Sequence, residues 1–194
     1  MLHNYVMEDL PKRKTDRLYR GRVSITGARY FVTLTTDNRV RCLQSSETQR
    51  ALLKQMETQM ADGDLINECA VVMHDHVHWL FELTGRLPLG RVIAKFKRFS
   101  PSSVAWQRDF FEHRLRPFEF VEAYGKYIFM NPYRANLVAA TDVYTGTRFW
   151  RQKHYLFLQS LTAPGCPQPQ WLAVAGEHPV EVFCRARLDA PAAD

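Results

Sequence analysis

The chain has 194 residues, and because a typical domain uses roughly 100 to 200 residues it holds one domain, or one domain with a tail, and not two large ones. A hydrophobic fraction of 46% beside 24% charged residues excludes wholesale disorder; no apolar run approaches the roughly 18 residues of a membrane span, and the opening MLHNYVMEDLPKRKTDR lacks the apolar stretch of a signal peptide, so a cytoplasmic protein without a membrane partner is expected. Lysine and arginine total 26 against 20 acidic residues, a net charge of +6 that favours a polyanionic partner, with nucleic acid first.

The charge is uneven. Lys12, Arg13, Lys14, Arg17, Arg20 and Arg22 form a basic arm, and Arg91, Lys95, Lys97 and Arg98 form a second cluster with no acid among them. Each is either an ordinary solvated face or part of a binding surface. Cys42, Cys69, Cys166 and Cys184 are scattered without a CxxC pair, which argues against a zinc ribbon or a disulfide framework.

In chain order, the aromatic and β-branched ARYFVTLT from Ala28 to Thr35 predicts a first strand, ended by TDNR. Glu47 to Met60 carries Ala51, Leu52, Met56 and Met60 at helical spacing, with Ser45 or Ser46 to cap it and Asp62-Gly63 to end it. Leu65 to Met73 and Val77 to Leu83 flank a His-Asp-His turn as an antiparallel hairpin. Pro88 opens a second helix that sets Leu89, Val92, Ile93, Phe96 and Phe99 on one side and the basic cluster on the other. Phe110 to Leu115 predicts a fourth strand. Pro117 opens a third helix, expected to stop near Asn131 because Pro132 disfavours helical geometry in the residue before it.

The order β-α-β-β-α-β, then α, predicts an α+β, ferredoxin-like split βαβ fold: a four-stranded antiparallel sheet with two helices on one face. The expected organisation is a basic arm over 1–27, a domain over 28–138 and a draped extension over 139–194, irregular and rich in proline and glycine, from which Arg148, Trp150, Arg151 and Lys153 could reach a nucleic acid.

Chemistry concentrates in two segments. In VVMHDHVHWLFEL, His76 and His78 are two apart, so on a strand both imidazoles share one face, with Val77 and Leu80 read as pointing elsewhere. Such a pair suits one metal ion if a third ligand is supplied; His74 is a turn residue, a supporting group or that third ligand. In FEFVEAYGKYIFMNPYRANL, Tyr127 and Asn131 are four apart and share a helix face. The same spacing, with Phe120 and Tyr124 on the stripe, also suits plain core packing. Gly125 costs a helix roughly 1 kcal/mol against Ala and either loosens the helix near Tyr127 or allows close packing.

HVHWLFEL resembles the histidine-hydrophobic-histidine strand of single-tyrosine transposases, and KYIFMNPYRANLV resembles the segment that carries their nucleophilic tyrosine. The resemblance is to the REP-associated tyrosine transposases within that HUH superfamily. It extends to ARYFVTLTTDNR, AKFKRFS and WQRDFFEHRLR and covers about Leu18 to Val138 in order, with His74 and Tyr133 standing where the family favours proline and valine. The resemblance implies Tyr127 as the catalytic nucleophile and His76, His78 and Asn131 as ligands of a divalent metal, Mg²⁺ or Mn²⁺. It implies metal-dependent endonuclease and strand-transferase activity on single-stranded or hairpin, REP-like palindromic DNA through a 5′-phosphotyrosine, by a monomer or homodimer.

A phenol with a pKa near about 10 is a poor nucleophile at neutral pH, which is why such a reaction needs an ion at the scissile phosphate. Gly125-Lys126 lacks the rest of a phosphate loop, so no nucleotide cofactor is expected. Arg17, Tyr19 and Arg20 in the arm, Lys95, Lys97 and Arg98 beside Phe96, and Arg134 are the candidate DNA contacts. Tyr124 is the competing nucleophile, and His113 a supporting or core residue. Two other readings stay open: a non-catalytic single-stranded nucleic-acid-binding module on the same fold, and a structural zinc protein using His74, His76, His78 and Cys69.

Overall fold

The computed structural model describes residues 23–172. Arg17, Tyr19 and Arg20, the rest of the basic arm and the acidic end of the extension lie outside the described residues. In order come β1 (Arg29–Thr35), α1 (Ser46–Ala61), β2 (Leu65–Val72), β3 (His76–Leu83), α2 (Leu89–Phe99), β4 (Phe111–Arg114), α3 (Val121–Arg134) and β5 (Thr147–Phe149). The strands form one antiparallel sheet in the order β4-β1-β3-β2-β5. The first four follow the ferredoxin-like order expected from the sequence; β5 is an addition to it.

Strand alternation divides the core in two. Val32, Leu34, Val72, Val77, Trp79 and Phe81 face α1 and α2, meeting Leu52, Leu53 and Met56 of α1 and Leu89, Val92, Ile93 and Phe96 of α2. Phe31, Val71 and Leu80 face the other way, against Tyr124, Tyr127 and Ile128 of α3. The sheet is thus covered on both sides: α1 and α2 lie on the face foreseen for them, and α3 covers the opposite one. Leu80 lies on the α3 side with His76 and His78, not away from them, because residues two apart on a strand share a face.

The helix ends follow local chemistry. The Ser45 hydroxyl accepts the Thr48 N–H at the start of α1, and Gly63, at φ +75°, turns the chain out of it. Two proline expectations are corrected. Pro117 does not open α3, which starts at Val121. The Glu119 carboxylate takes the Arg116 N–H, His113 Nε2 and the Tyr124 hydroxyl, and holds the preceding residues as a turn. Nor does α3 stop at Asn131: Pro132 sits inside it and the helix runs to Arg134. Pro132 and Tyr133 are buried, Ala135 N–H still reaches the Asn131 carbonyl, and the Tyr133 hydroxyl donates to the Asp142 carbonyl. Packing here outweighs the hydrogen bond that proline removes.

The described part of the segment after Val138, residues 139–172, is built into the fold instead of draped over it. β5 pairs Thr147, Arg148 and Phe149 with β2. Beyond it, Glu68, fully buried at the bulge of β2, binds Arg29 Nε at 2.9 Å, Arg151 Nη1 at 3.2 Å and His154 Nδ1 at 2.8 Å. Arg151 therefore serves the interior, as does Trp150, whose indole N–H points to Glu57. Tyr155 is buried with its hydroxyl donating to Cys69 Sγ at 3.3 Å, and an edge of its ring fills the gap that Gly125 leaves on α3.

A Cβ at position 125 would overlap the Tyr155 ring edge, so Gly125 is there for close approach and not to loosen the helix. Gly125→Ala is expected to lower unfolding free energy by about 1–3 kcal/mol, against the roughly 1 kcal/mol that helix propensity alone would add. Urea titration decides it: a stabilised variant would mean that the glycine serves flexibility.

Candidate active site

The β1–β3 register sets Thr33 opposite His78 and Thr35 opposite His76, all on the α3 side of the sheet. His78 is buried, stacks on Phe31 with ring centroids 5.4 Å apart, and places Nδ1 2.9 Å from Thr33 Oγ1. His76 opens β3 at the rim of the sheet, where its Nδ1 meets Asp75 Oδ1 at 2.6 Å. The second oxygen of Asp75 accepts from Arg39 Nη1 at 3.2 Å. The two imidazole centroids lie 4.7 Å apart.

Over this pair α3 lowers Tyr127. Its ring meets Phe31 edge-on with centroids 5.9 Å apart, and its hydroxyl stands 3.5 Å from His78 Nε2. One turn on, Asn131 folds back, with Nδ2 donating to the Tyr127 carbonyl at 3.0 Å. Burial, reinforced by the charge of His76, drives the His78 pKa well below the ordinary imidazole range and keeps that ring neutral. The hydrogen bond from His76 holds the Asp75 carboxyl down at about 2, with the charges of His76 and Arg39 acting the same way.

The donor set fits a divalent ion of borderline character. His78 is held in the neutral, ligating form, and both histidines have Nδ1 engaged by an oxygen, the arrangement that leaves Nε2 for a metal. Among the described residues no group of three or more His, Cys, Asp and Glu is placed to hold a metal, so a third protein ligand for an ion on this pair would be of another type, such as an amide. That also removes the structural zinc reading. His74 Nδ1 accepts from Arg41 at the turn, and Cys69 is buried beneath Tyr155, where burial pushes its thiol far up.

The other residues singled out in the sequence lie elsewhere. Tyr124 donates to Glu119 Oε1 at 2.8 Å and stacks on His113, which binds the same carboxylate. Lys95 is held by Asp62 and Asp64 at 2.8 and 2.5 Å. Lys97 donates to the carbonyls of Gln107, Arg108 and Asp109. Arg98 lies over Phe99, itself largely exposed, and Arg134 closes α3. Sequence reasoning missed Asp75, Thr33 and Arg39. Asp75 stands beside His76 in the chain and could have been noticed, but Thr33 and Arg39 reach the histidines only through strand register and loop geometry.

No family model and no curated protein matches the chain. Among solved structures the chain is similar to a REP-associated tyrosine transposase bound to a REP hairpin, at 21% identity and a TM-score of 0.55 over 80% of this chain and 90% of that one. A proposed transposase from Deinococcus radiodurans matches at 17% identity and a TM-score of 0.42, over 62% of this chain and 98% of that one. The first likeness shows that the chain has the fold of a REP-associated tyrosine transposase.

Tyr124 and Tyr127 can be separated by stability. Tyr124→Phe deletes a short hydrogen bond to a carboxylate and is expected to cost about 1.5–3 kcal/mol, read by denaturant unfolding; an unchanged midpoint would mean that the Glu119 contact is not what holds this hydroxyl.

Proposed function

We infer that the protein is a metal-dependent single-strand DNA endonuclease and strand transferase that uses Tyr127 as its nucleophile. The observation that supports this most directly is the Tyr127 hydroxyl standing 3.5 Å from His78 Nε2, above a second histidine, on a fold shared with a transposase whose structure holds a REP hairpin. The Tyr127 hydroxyl stands over two imidazoles on one sheet face, with Asn131 one turn along α3, and the Asp75 carboxylate beside them is taken up by His76 and Arg39, which suits phosphodiester chemistry better than acyl transfer.

A divalent ion, Mg²⁺ or Mn²⁺, held by His76, His78 and Asn131 would polarise the scissile phosphate and offset charge on its oxygens. Tyr127 Oη forms the new bond to phosphorus, the bond from phosphorus to the 3′ oxygen breaks, and its electron pair leaves on that oxygen. The phenol proton passes to solvent and the 3′ oxygen takes one up, so the products are a 5′-phosphotyrosine and a 3′ hydroxyl. One phosphodiester replaces another, so the step is reversible and requires no nucleotide hydrolysis. The β3 framework holds the histidines rigid, and Phe31 buttresses both His78 and Tyr127.

The substrate inferred is single-stranded or hairpin DNA. Arg39 and Arg41 add positive charge beside the histidines, next to Asp75 and His74. Arg98 beside exposed Phe99 offers a charged and stacking surface on α2.

The deciding experiment incubates purified protein with labelled hairpin oligonucleotides drawn from around its own gene, with Mn²⁺ or with chelator, and resolves the products on a denaturing gel. A Mn²⁺-dependent covalent band is expected, lost in Tyr127→Phe and retained in Tyr124→Phe. His76→Ala and His78→Ala should each reduce the band at least about tenfold, since one lost ligand weakens metal binding by more than a supporting contact does. Tight hairpin binding with no adduct would replace the enzyme with a non-catalytic binding module.

A further inference from the structure

We propose that Asp75 and Thr33 are positioning residues that fix His76 and His78 in one shared tautomer, with the proton on Nδ1 and the lone pair on Nε2, and that Arg39 secures Asp75 for this task. The use of that tautomer rests on the metal-dependent reading above; the tautomers themselves can be tested without it.

An ionised carboxylate only accepts, so its 2.6 Å contact with His76 Nδ1 requires a proton on that nitrogen. His76 Nε2 then carries the lone pair. At His78 the hydroxyl of Thr33 can donate or accept, and the role of Nε2 decides. Nε2 faces the Tyr127 hydroxyl, which can likewise donate or accept; the ligand role proposed above requires a lone pair on Nε2, and that leaves the Nδ1 proton for Thr33 Oγ1 at 2.9 Å. On this reading two different oxygens, one on the turn and one on the neighbouring strand, accept from Nδ1 and hold both rings in the same tautomer.

Asp75 is anchored for this more firmly than a turn residue needs to be. Its carbonyl accepts both the N–H and the hydroxyl of the fully buried Thr36, each at 2.9 Å. Its second carboxylate oxygen takes Arg39, delivered by a loop in which Asn38 and Arg39 both adopt positive φ, 49° and 54°. Two consecutive non-glycine residues in that region are costly, and such strain persists where surrounding structure holds it in place. With both oxygens engaged, the carboxylate is held toward His76.

The test uses ¹⁵N-labelled full-length protein and long-range proton–nitrogen spectra at about pH 9, above the ordinary imidazole range. Wild type should show Nδ1–H for both residues, assigned through His76→Gln. Asp75→Ala should move His76 toward the other tautomer and leave His78 unchanged. Thr33→Val should do the reverse, while Thr33→Ser keeps the wild-type pattern and guards against a folding defect. Mn²⁺ affinity, read by electron paramagnetic resonance at neutral pH, should fall about 10–100-fold in Asp75→Ala, less in Arg39→Gln, and recover in part in Asp75→Glu. A proton on Nε2 of His76 in wild type, or an Asp75→Ala variant with unchanged tautomer and affinity, would overturn the proposal. Wild-type protein that binds no Mn²⁺ while its tautomers respond as stated would sink the metal-dependent reading and leave the positioning roles standing.

Discussion

Everything at the candidate site depends on the parity of β3. Val77, Trp79, Phe81 and Leu83 enter the core beneath α1 and α2, and that fixes His76, His78 and Leu80 on the opposite face. Trp79 is the strongest determinant, being fully buried with its indole N–H bound to Asn67, whose own amide donates to the Met56 carbonyl. A slip of one residue would place two imidazoles among Leu52, Met56 and Phe96 and strand that indole, so the register is held by burial on both faces at once. The same register brings Thr33 to His78 across the strand pair.

The height and tilt of α3 over this face are set from the other end of the molecule. Tyr155 fits against Gly125, Glu122 accepts the N–H groups of Leu156 and Phe157, and Glu68 gathers Arg29, Arg151 and His154. Less than two turns of helix link the first contact, at Gly125, to Asn131, so the segment that follows the helix in sequence acts as its rear support. Tyr127 is therefore held from three sides: by Phe31 below, by the helix itself, and by the packing of residues 147–160 behind it.

Much of this could be read from the chain. Alternation found four strands, helical spacing with caps found α1 and α2, and the two-residue spacing set His76 and His78 on one strand face, while the place of Tyr127 beside them was implied by the family resemblance and not by spacing. The misses have physical reasons. β5 has three residues and becomes a strand only by pairing with β2, which no local pattern encodes. Pro132 is a strong local breaker, overruled by burial of Pro132 and Tyr133 that depends on the rest of the fold. Lys95 and Lys97 look like free charge in one dimension because Asp62, Asp64 and three carbonyls are distant in the chain.

The carboxylates on the α3 side explain how an anion could approach such a site. Asp75, Glu68, Glu82, Glu119 and Glu122 all lie on or against that face, and five bare negative charges would repel a phosphate backbone. Each is engaged: Asp75 by His76 and Arg39, Glu68 by Arg29, Arg151 and His154, Glu82 by Arg29, Glu119 by His113, Tyr124 and a backbone N–H, and Glu122 by two backbone N–H groups. Charges paired at these distances have short-ranged fields, and at physiological salt the residual falls off within about 8 Å. The acids thus organise the histidines, the helix entry and the rear support while the net charge of +6 sets the long-range attraction. On the nucleic-acid reading proposed above, structural anions and a polyanion share one face because the first are paired with cations or satisfied by N–H and O–H donors that the fold brings to them.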